Sequence, residues 1–426
     1  MLLFLVFLSS LFILLDFMFL FFFTIFLFYI IFFFNTGFFD GLFFVDFVSL
    51  SLMFISLWIF FISFFSMELS FLGLFLFCFM LFFIIFSFLS ISFFLFYVSF
   101  ELVFLFLFFY LLSLGSSLER IQASFYMFFY TLFFSFPFLF FILDYTSLFS
   151  DFFLFYGYSY YSYFFWLFMF LVFMVKLPVF GLHSWLLKAH VEAPVSGSMI
   201  LAGVMLKLGG YGIIRFLSLV NDYTSFSLLL FTFFFYVGLL GSLFISILCF
   251  RQMDLKMAIA YSSIVHMSIM FLGVLSLTLY GWLGGILMMV CHGFISPLMF
   301  FLMGKAYSVL GSRSILLLKG FLFISSSFCI FWFVSCALNL GLPPFMSFFS
   351  EIYIIGSMGS FSFFEWLLLF FICLFTGIYC IYLFISMVHG SFPYYSVFFL
   401  SCLDFLVMFS LSFFVLFYPL FFFIVY

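Results

Sequence analysis

The sequence predicts an all-α polytopic membrane protein of about 14 transmembrane helices, and three observations predict it. Seventy per cent of its 426 residues are hydrophobic, far more than a soluble domain carries. Apolar runs of about 20 residues recur along the chain, each able to cross roughly 30 Å of hydrocarbon as a helix. Runs such as FFFTIFLFYIIFFF show none of the polar–apolar alternation that a transmembrane barrel strand needs.

Polar punctuation sets the order of the spans. The opening run divides near Asp16 into two, and after the Asn35–Asp46 loop come roughly 45–66, 71–90 and 91–112. Beyond Glu119 and Arg120 follow roughly 122–143, 163–187, 196–218, 228–250, 256–276 and 281–304, then 319–357, 363–389 and 397–424. Arg120, Lys188, Arg251, Lys256, Lys305, Arg313 and Lys319 read as residues of loops that join an odd span to the next even one. Asp40, Asp144, Asp151 and Asp222 occupy the opposite loops, with Arg215 near that face. The basic side is then the matrix or cytoplasmic side, and both termini face away from it.

Composition excludes several functions. The 10 basic and 14 acidic side chains leave a net charge of −4 spread over loops, with no basic patch for nucleic acid. The 96 phenylalanines read as the product of a T-rich coding sequence, as in an organellar genome, because lipid solvates Phe and Leu about equally well. No Arg-rich transit segment precedes the opening span, which suggests synthesis in the compartment where the chain inserts. Eight cysteines are scattered without a C-x-x-C, and neither G-x-G-x-x-G nor G-K-[ST] occurs. The expectation is a chain with no cofactor or metal of its own.

Two spans carry proline where a helix should continue: Pro178 in FMVKLPVFG, and Pro343 with Pro344 in NLGLPPFMSFFSE. Proline removes a backbone donor, and the freed groups persist in a membrane only inside protein or beside water. Paired broken helices point to an inverted-repeat transporter core. Glu101, Lys176, Lys207 and Glu351 fall within spans, where each charge costs at least about 2.5–3.5 kcal/mol unless it meets a partner or water. Gly203 and Gly210, at i−4 and i+3 from Lys207, clear one face of its helix for a close neighbour or for water.

These charges suit a proton relay, with His266 and His292 as further stations, since an imidazole can take a proton on one nitrogen and release it from the other. The competing reading is that Glu101–Lys176 and Lys207–Glu351 are inert pairs fixing helix register. His183, His190 and Glu192 are candidates for proton uptake or helix-end packing; without an HExxH or a compact further ligand, a metal site is disfavoured.

KLPVFGLHSWLLKAHVEAPVSGSMILAGVMLKLGGYG resembles the signature of the chain 4 family of mitochondrial NADH–ubiquinone oxidoreductase, the respiratory complex I. FYVSFE, ERIQASFYMFFYTL, RQMDLKMAIAYSSIVHMS and LNLGLPPFMSFFSE resemble that family's other motifs in the expected order. Glu351 stands where the sister antiporter-like chains typically have lysine. The resemblance implies an antiporter-like inverted repeat: helices 1–90, a first half 91–218 broken at Pro178, a second half 228–389 broken at Pro343–Pro344, and a last helix in 397–426. It implies Glu101–Lys176 as a charge-sensing pair, Lys207 as central relay, His266 and His292 along the axis, and Glu351 as the last station. It also implies a multi-pass place in the mitochondrial inner membrane among lipid and other membrane-arm subunits, including neighbouring antiporter-like chains. NADH, FMN, iron–sulfur clusters and ubiquinone would sit in partner subunits. The alternatives are a stand-alone Mrp-type cation/proton antiporter subunit and a structural spacer that transports nothing.

Overall fold

A computed structural model describes residues 39–40, 43–67, 70–115, 119–145, 163–217, 225–360, 362–390 and 400–425. The two spans expected before residue 39, with Asp151 and Asp222, lie outside them. Every span expected beyond residue 44 has its helix. These are α1 (Phe47–Phe65), α2 (Phe71–Leu89), α3 (Phe93–Leu114) and α4 (Arg120–Tyr145), then the pair α5 (Tyr163–Lys176) and α6 (Ser184–Glu192). Next come α7 (Val195–Leu217), α8 (Ser225–Phe250), α9 (Leu255–Leu275) and α10 (Leu279–Leu310). A second pair, α11 (Ser326–Leu340) and α12 (Met346–Ser357), precedes α13 (Phe363–Val388) and α14 (Cys402–Val425). Among the described residues the departures from an all-α chain are a two-residue pairing of β1 (Phe39–Asp40) with β2 (Phe43–Phe44) and an isolated antiparallel bridge between Asp254 and Ser314.

Hydrocarbon offers no partner to a backbone N–H, so each span closes its own bonds, and the polar punctuation serves the ends. Asp46 accepts from the Ser49 N–H while the Ser49 hydroxyl accepts from the Asp46 N–H, each at 2.9 Å, which starts α1 with a capping box. Ser70, Ser92 and Thr278 cap α2, α3 and α10 through the N–H groups of Gly73, Leu95 and Gly281. Serines inside the spans mostly turn back on their own helix, as Ser56 does to Met53 O and Ser263 to Ala260 O.

Four basic residues assigned to loops sit in helices instead, Arg120 at the start of α4, Lys188 in α6, Lys256 in α9 and Lys305 in α10, and so does Asp144, near the end of α4. The long lysine stems let a helix run on past the apolar stretch while the ammonium reaches a polar end. Proline alone does not break a span either. Pro137 and Pro297 lie inside α4 and α10, which continue through them.

Helices α7, α9 and α10 form the interior, whereas α4 and α13 turn most of their surface outward. Glycine sets the approach of the inner helices. A Cβ on Gly203 would stand 2.5 Å from Ile59 Cδ1, and one on Gly210 2.4 Å from Met289 Sδ. The space beside Lys207 is thus filled by apolar side chains, which decides for close helix approach. Gly281, at the start of α10, lies against α9: a Cβ there would be 2.2 Å from both Gly273 O and Ser276 Oγ. Gly281→Ala is expected to part the two helices at a cost of about 1–3 kcal/mol, read as a lower melting temperature of the solubilised protein. Gly377→Ala, with open space around it, should melt unchanged. Equal melting of the two variants would remove this packing role.

Candidate functional site

The first break lies between α5 and α6. Pro178 has no N–H for the carbonyl of Met174, and the N–H of Val179 takes that carbonyl at 3.1 Å. The next carbonyl left without its helical donor, Val175, receives the indole N–H of buried Trp185 at 2.9 Å. The break is therefore satisfied by protein groups, as buried irregular backbone must be. Gly209 of α7 packs directly on it: a Cβ there would meet Lys176 Cβ at 3.1 Å and Leu177 N at 3.2 Å.

Lys176, at the end of α5, is 1% exposed. Its ammonium stands 3.4 Å from Glu101 Oε1 of α3, longer than the roughly 2.7–2.9 Å of a tight charge-assisted bond. The rest of its surroundings is aromatic, with the nitrogen 3.2 Å from the centre of the Phe104 ring and 4.3 Å from that of Phe100. The pair expected from sequence is present, loosely joined and enclosed by ring faces.

Lys207 does not pair with Glu351. Its ammonium donates to Ala202 O at 2.6 Å and contacts His292 Nδ1 of α10 at 2.9 Å. Ala202 lies in a π-helical turn, Leu201–Met205, that widens α7 just before the lysine. With the ammonium as donor, Nδ1 accepts and a neutral His292 holds its proton on Nε2. The His266 ring of α9 follows at 5.9 Å between centroids, and its Nε2 is 3.5 Å from the hydroxyl of Tyr379 in α13. Lys207, His292, His266 and Tyr379 are all buried. They form a line of titratable groups from the centre of α7 into the second half.

The second break separates α11 from α12 at Leu342–Phe345. Gly341 ends α11 with φ +74°, and Leu342 N–H turns back to Ala337 O at 3.3 Å. Half-buried Glu351 lies on this turn: a Cβ on Gly341 would be 2.9 Å from Glu351 Oε2. Glycine is thus required both for the left-handed backbone and for the carboxylate beside it. Asn339, near the end of α11, donates to Cys380 Sγ at 3.6 Å, next to Tyr379 in sequence.

The uptake candidates part company. Glu192 joins Arg313 at 4.0 Å on a cavity of about 320 Å³ that Lys256 and Tyr307 also line. Lys256 donates to Val191 O and Ala193 O, and Arg313 to Val191 O, so two cations sit on the end of α6. His183 and His190 are not in that wall. His190 stacks on Phe300 at 4.7 Å, and His183 lies over Phe180 at 5.8 Å. Among the described residues no three His, Cys, Asp or Glu side chains gather as metal ligands.

Residues 90–379, more than half of the chain and the stretch holding both breaks and every group in the line, match the family described as NADH:quinone oxidoreductase/Mrp antiporter, transmembrane region. The chain belongs to that family. Within the NADH:quinone oxidoreductase/Mrp antiporter family, it is 41% identical over 298 residues to the NADH-ubiquinone oxidoreductase chain 4 of Artemia franciscana, covering 69% of this chain and 75% of that one. It is 38% identical over 313 residues to the chain 4 of Locusta migratoria, covering 70% and 67%. Among solved structures, a chain of respiratory complex I from Thermus thermophilus with bound NADH superposes with a TM-score of 0.80 at 22% identity, covering 88% of this chain and 81% of that one. A chain of the Mrp complex from Dietzia sp. gives 0.71 at 17% identity, covering 82% and 67%. At these identities the two likenesses concern the fold.

In this member of the NADH:quinone oxidoreductase/Mrp antiporter family, sequence reasoning missed three charged clusters. Arg215 bonds Asp46 at 2.6 Å beside Tyr211. Lys305 bonds Asp404 at 2.6 Å and ties α10 to α14. Lys256 and Arg313 form the third, around the end of α6. A signal for the first was present: Lys207, Tyr211 and Arg215 follow at i, i+4 and i+8.

Proposed function

We propose that this chain is the chain 4 membrane-arm subunit of a mitochondrial NADH–ubiquinone oxidoreductase, and that it carries protons across the inner membrane through Glu101, Lys176, Lys207, His292, His266 and Glu351. The observation that carries this reading is the wholly enclosed Lys207 ammonium bonded to His292, at the head of a line of titratable groups that points toward the second broken helix. Residues 91–218 and 228–389 are the two halves, each holding one break. The cavity at Glu192, Lys256 and Arg313 lies at the matrix end and supplies protons. NADH, FMN, the iron–sulfur clusters and ubiquinone reside in partner subunits, and this chain moves protons without electrons.

Electrostatics supplies the scale of the coupling. At an effective dielectric near 20, unit charges 3.4 Å apart attract by about 5 kcal/mol, and drawing them apart to about 10 Å costs about 3 kcal/mol of that attraction. That is more than a hundredfold in an equilibrium. Opening the loose Glu101–Lys176 pair can therefore load or unload a proton further along the line. Native membranes solubilised gently and separated on a native gel test the assembly. The chain is expected to migrate with a large NADH-oxidising band, identified by mass spectrometry. Migration alone, or with a small set of partners lacking that activity, would overturn the reading in favour of a stand-alone antiporter.

A further inference from the structure

Helix α7 carries a second column that leads away from the relay. Lys207, Tyr211 and Arg215 stand one above another on one face, and eight residues at 1.5 Å each place Arg215 about 12 Å along the axis from Lys207. All three are buried, Arg215 being 8% exposed. The Arg215 guanidinium lies 4.8 Å over the Tyr211 ring and bonds Asp46 Oδ1 through Nη2 at 2.6 Å. The Tyr211 hydroxyl donates to Phe88 O at 3.0 Å. Asp46 is also the N-cap of α1 and Phe88 lies in the last turn of α2, so one cluster closes α1, α2 and α7 together.

This cluster has the wrong chemistry for a relay. A guanidinium stays protonated at any accessible pH, so it cannot accept a proton and pass it on. Its fixed positive charge, on a largely buried side chain, repels an approaching proton, as a pore arginine excludes cations. The Asp46 carboxylate and the Tyr211 ring hold it in position.

We propose that Arg215, clamped by Asp46 over Tyr211, is a proton barrier that seals the column above Lys207, so that a proton on Lys207 leaves toward His292. This rests on the relay reading of Lys207 given above. Arg215 is on this account a positioning residue for the route and not a station on it.

The test uses the whole complex, reconstituted in liposomes with a trapped pH dye and a potassium diffusion potential, and without NADH. Arg215→Met is expected to raise passive proton influx at least about tenfold, and Arg215→Lys, whose ammonium can release its proton where a guanidinium cannot, to leak as well. Arg215→Gln, polar and of similar reach but uncharged, is expected to leak like Arg215→Met. It decides the matter should Arg215→Met fail to assemble. The leak should vanish in the Arg215→Met, Lys207→Ala double variant, because its path runs through Lys207. Parent-level tightness in Arg215→Met or, where that variant does not assemble, in Arg215→Gln would overturn the barrier. A leak that survives loss of Lys207 would overturn it too, since a merely damaged helix leaks regardless. NADH-driven pumping in Lys207→Ala reports separately on the relay: full pumping there defeats the relay reading, whereas lost pumping with no leak in Arg215→Met defeats the barrier alone.

Discussion

Lys207→Ala is expected to stop proton transport through this chain while leaving most of the complex assembled. A positioned side chain that accepts and releases a proton is typically worth about 10²–10⁴-fold, so transport along this route should fall to background. The structural cost is smaller. Alanine removes the donor that serves Ala202 O and His292 Nδ1, and a buried polar group left without its partner costs roughly 1–3 kcal/mol. Helix α7 is enclosed on every side, so its packing outlasts the loss of one side chain. The measurement is protons translocated per NADH oxidised in reconstituted vesicles, beside the amount of complex on a native gel. Parallel loss of both would mean that Lys207 holds the fold and not the route. Lys207→Arg should fail as well: it restores the charge but does not release a proton, and the planar fork is larger than the ammonium held beside Gly293, where a Cβ would already be 3.5 Å from Lys207 Cε. Full pumping in the arginine variant would sink the proton-release idea.

What the sequence told well is what lipid makes expensive. Charges and prolines in apolar spans stand out because hydrocarbon penalises both, so Glu101, Lys176, Lys207, Glu351 and the two broken helices were legible, and so was the Glu101–Lys176 pair. The partner of Lys207 was not. Glu351 was the attractive guess by charge, yet the ammonium meets His292, 85 residues away in sequence, because a π turn widens α7 and glycines bring α10 close. Composition cannot report that register. Lys256 and Lys305 were misplaced, and the inward ion pair of Arg215 was missed, for another reason. A cation near a helix end looks like an ordinary loop charge, and only tertiary contact shows Arg215 turned inward onto Asp46 and Lys256 drawn onto the carbonyls at the end of α6.

The Glu101–Lys176 pair separates a working charge from a merely structural one. Glu101→Ala strands an ammonium that is 1% exposed, with the faces of Phe100 and Phe104 as its remaining company. Cation–π contact in a desolvated site returns about 2 kcal/mol, while breaking a buried pair on one side usually costs about 3–5. The single variant is therefore expected to lower the melting temperature of the complex clearly. Glu101→Leu combined with Lys176→Met replaces both charges by apolar groups of similar volume, a change that is often neutral or stabilising. Stability should return to near the parent in that double variant. Transport should not, because a site that loads and unloads a proton by opening and closing an ion pair needs the charges themselves. Melting curves and proton-per-NADH ratios on the same preparations read the two effects apart. Recovered pumping in the double variant would make the pair a register device, and the switching of protons would then have to begin at Lys207.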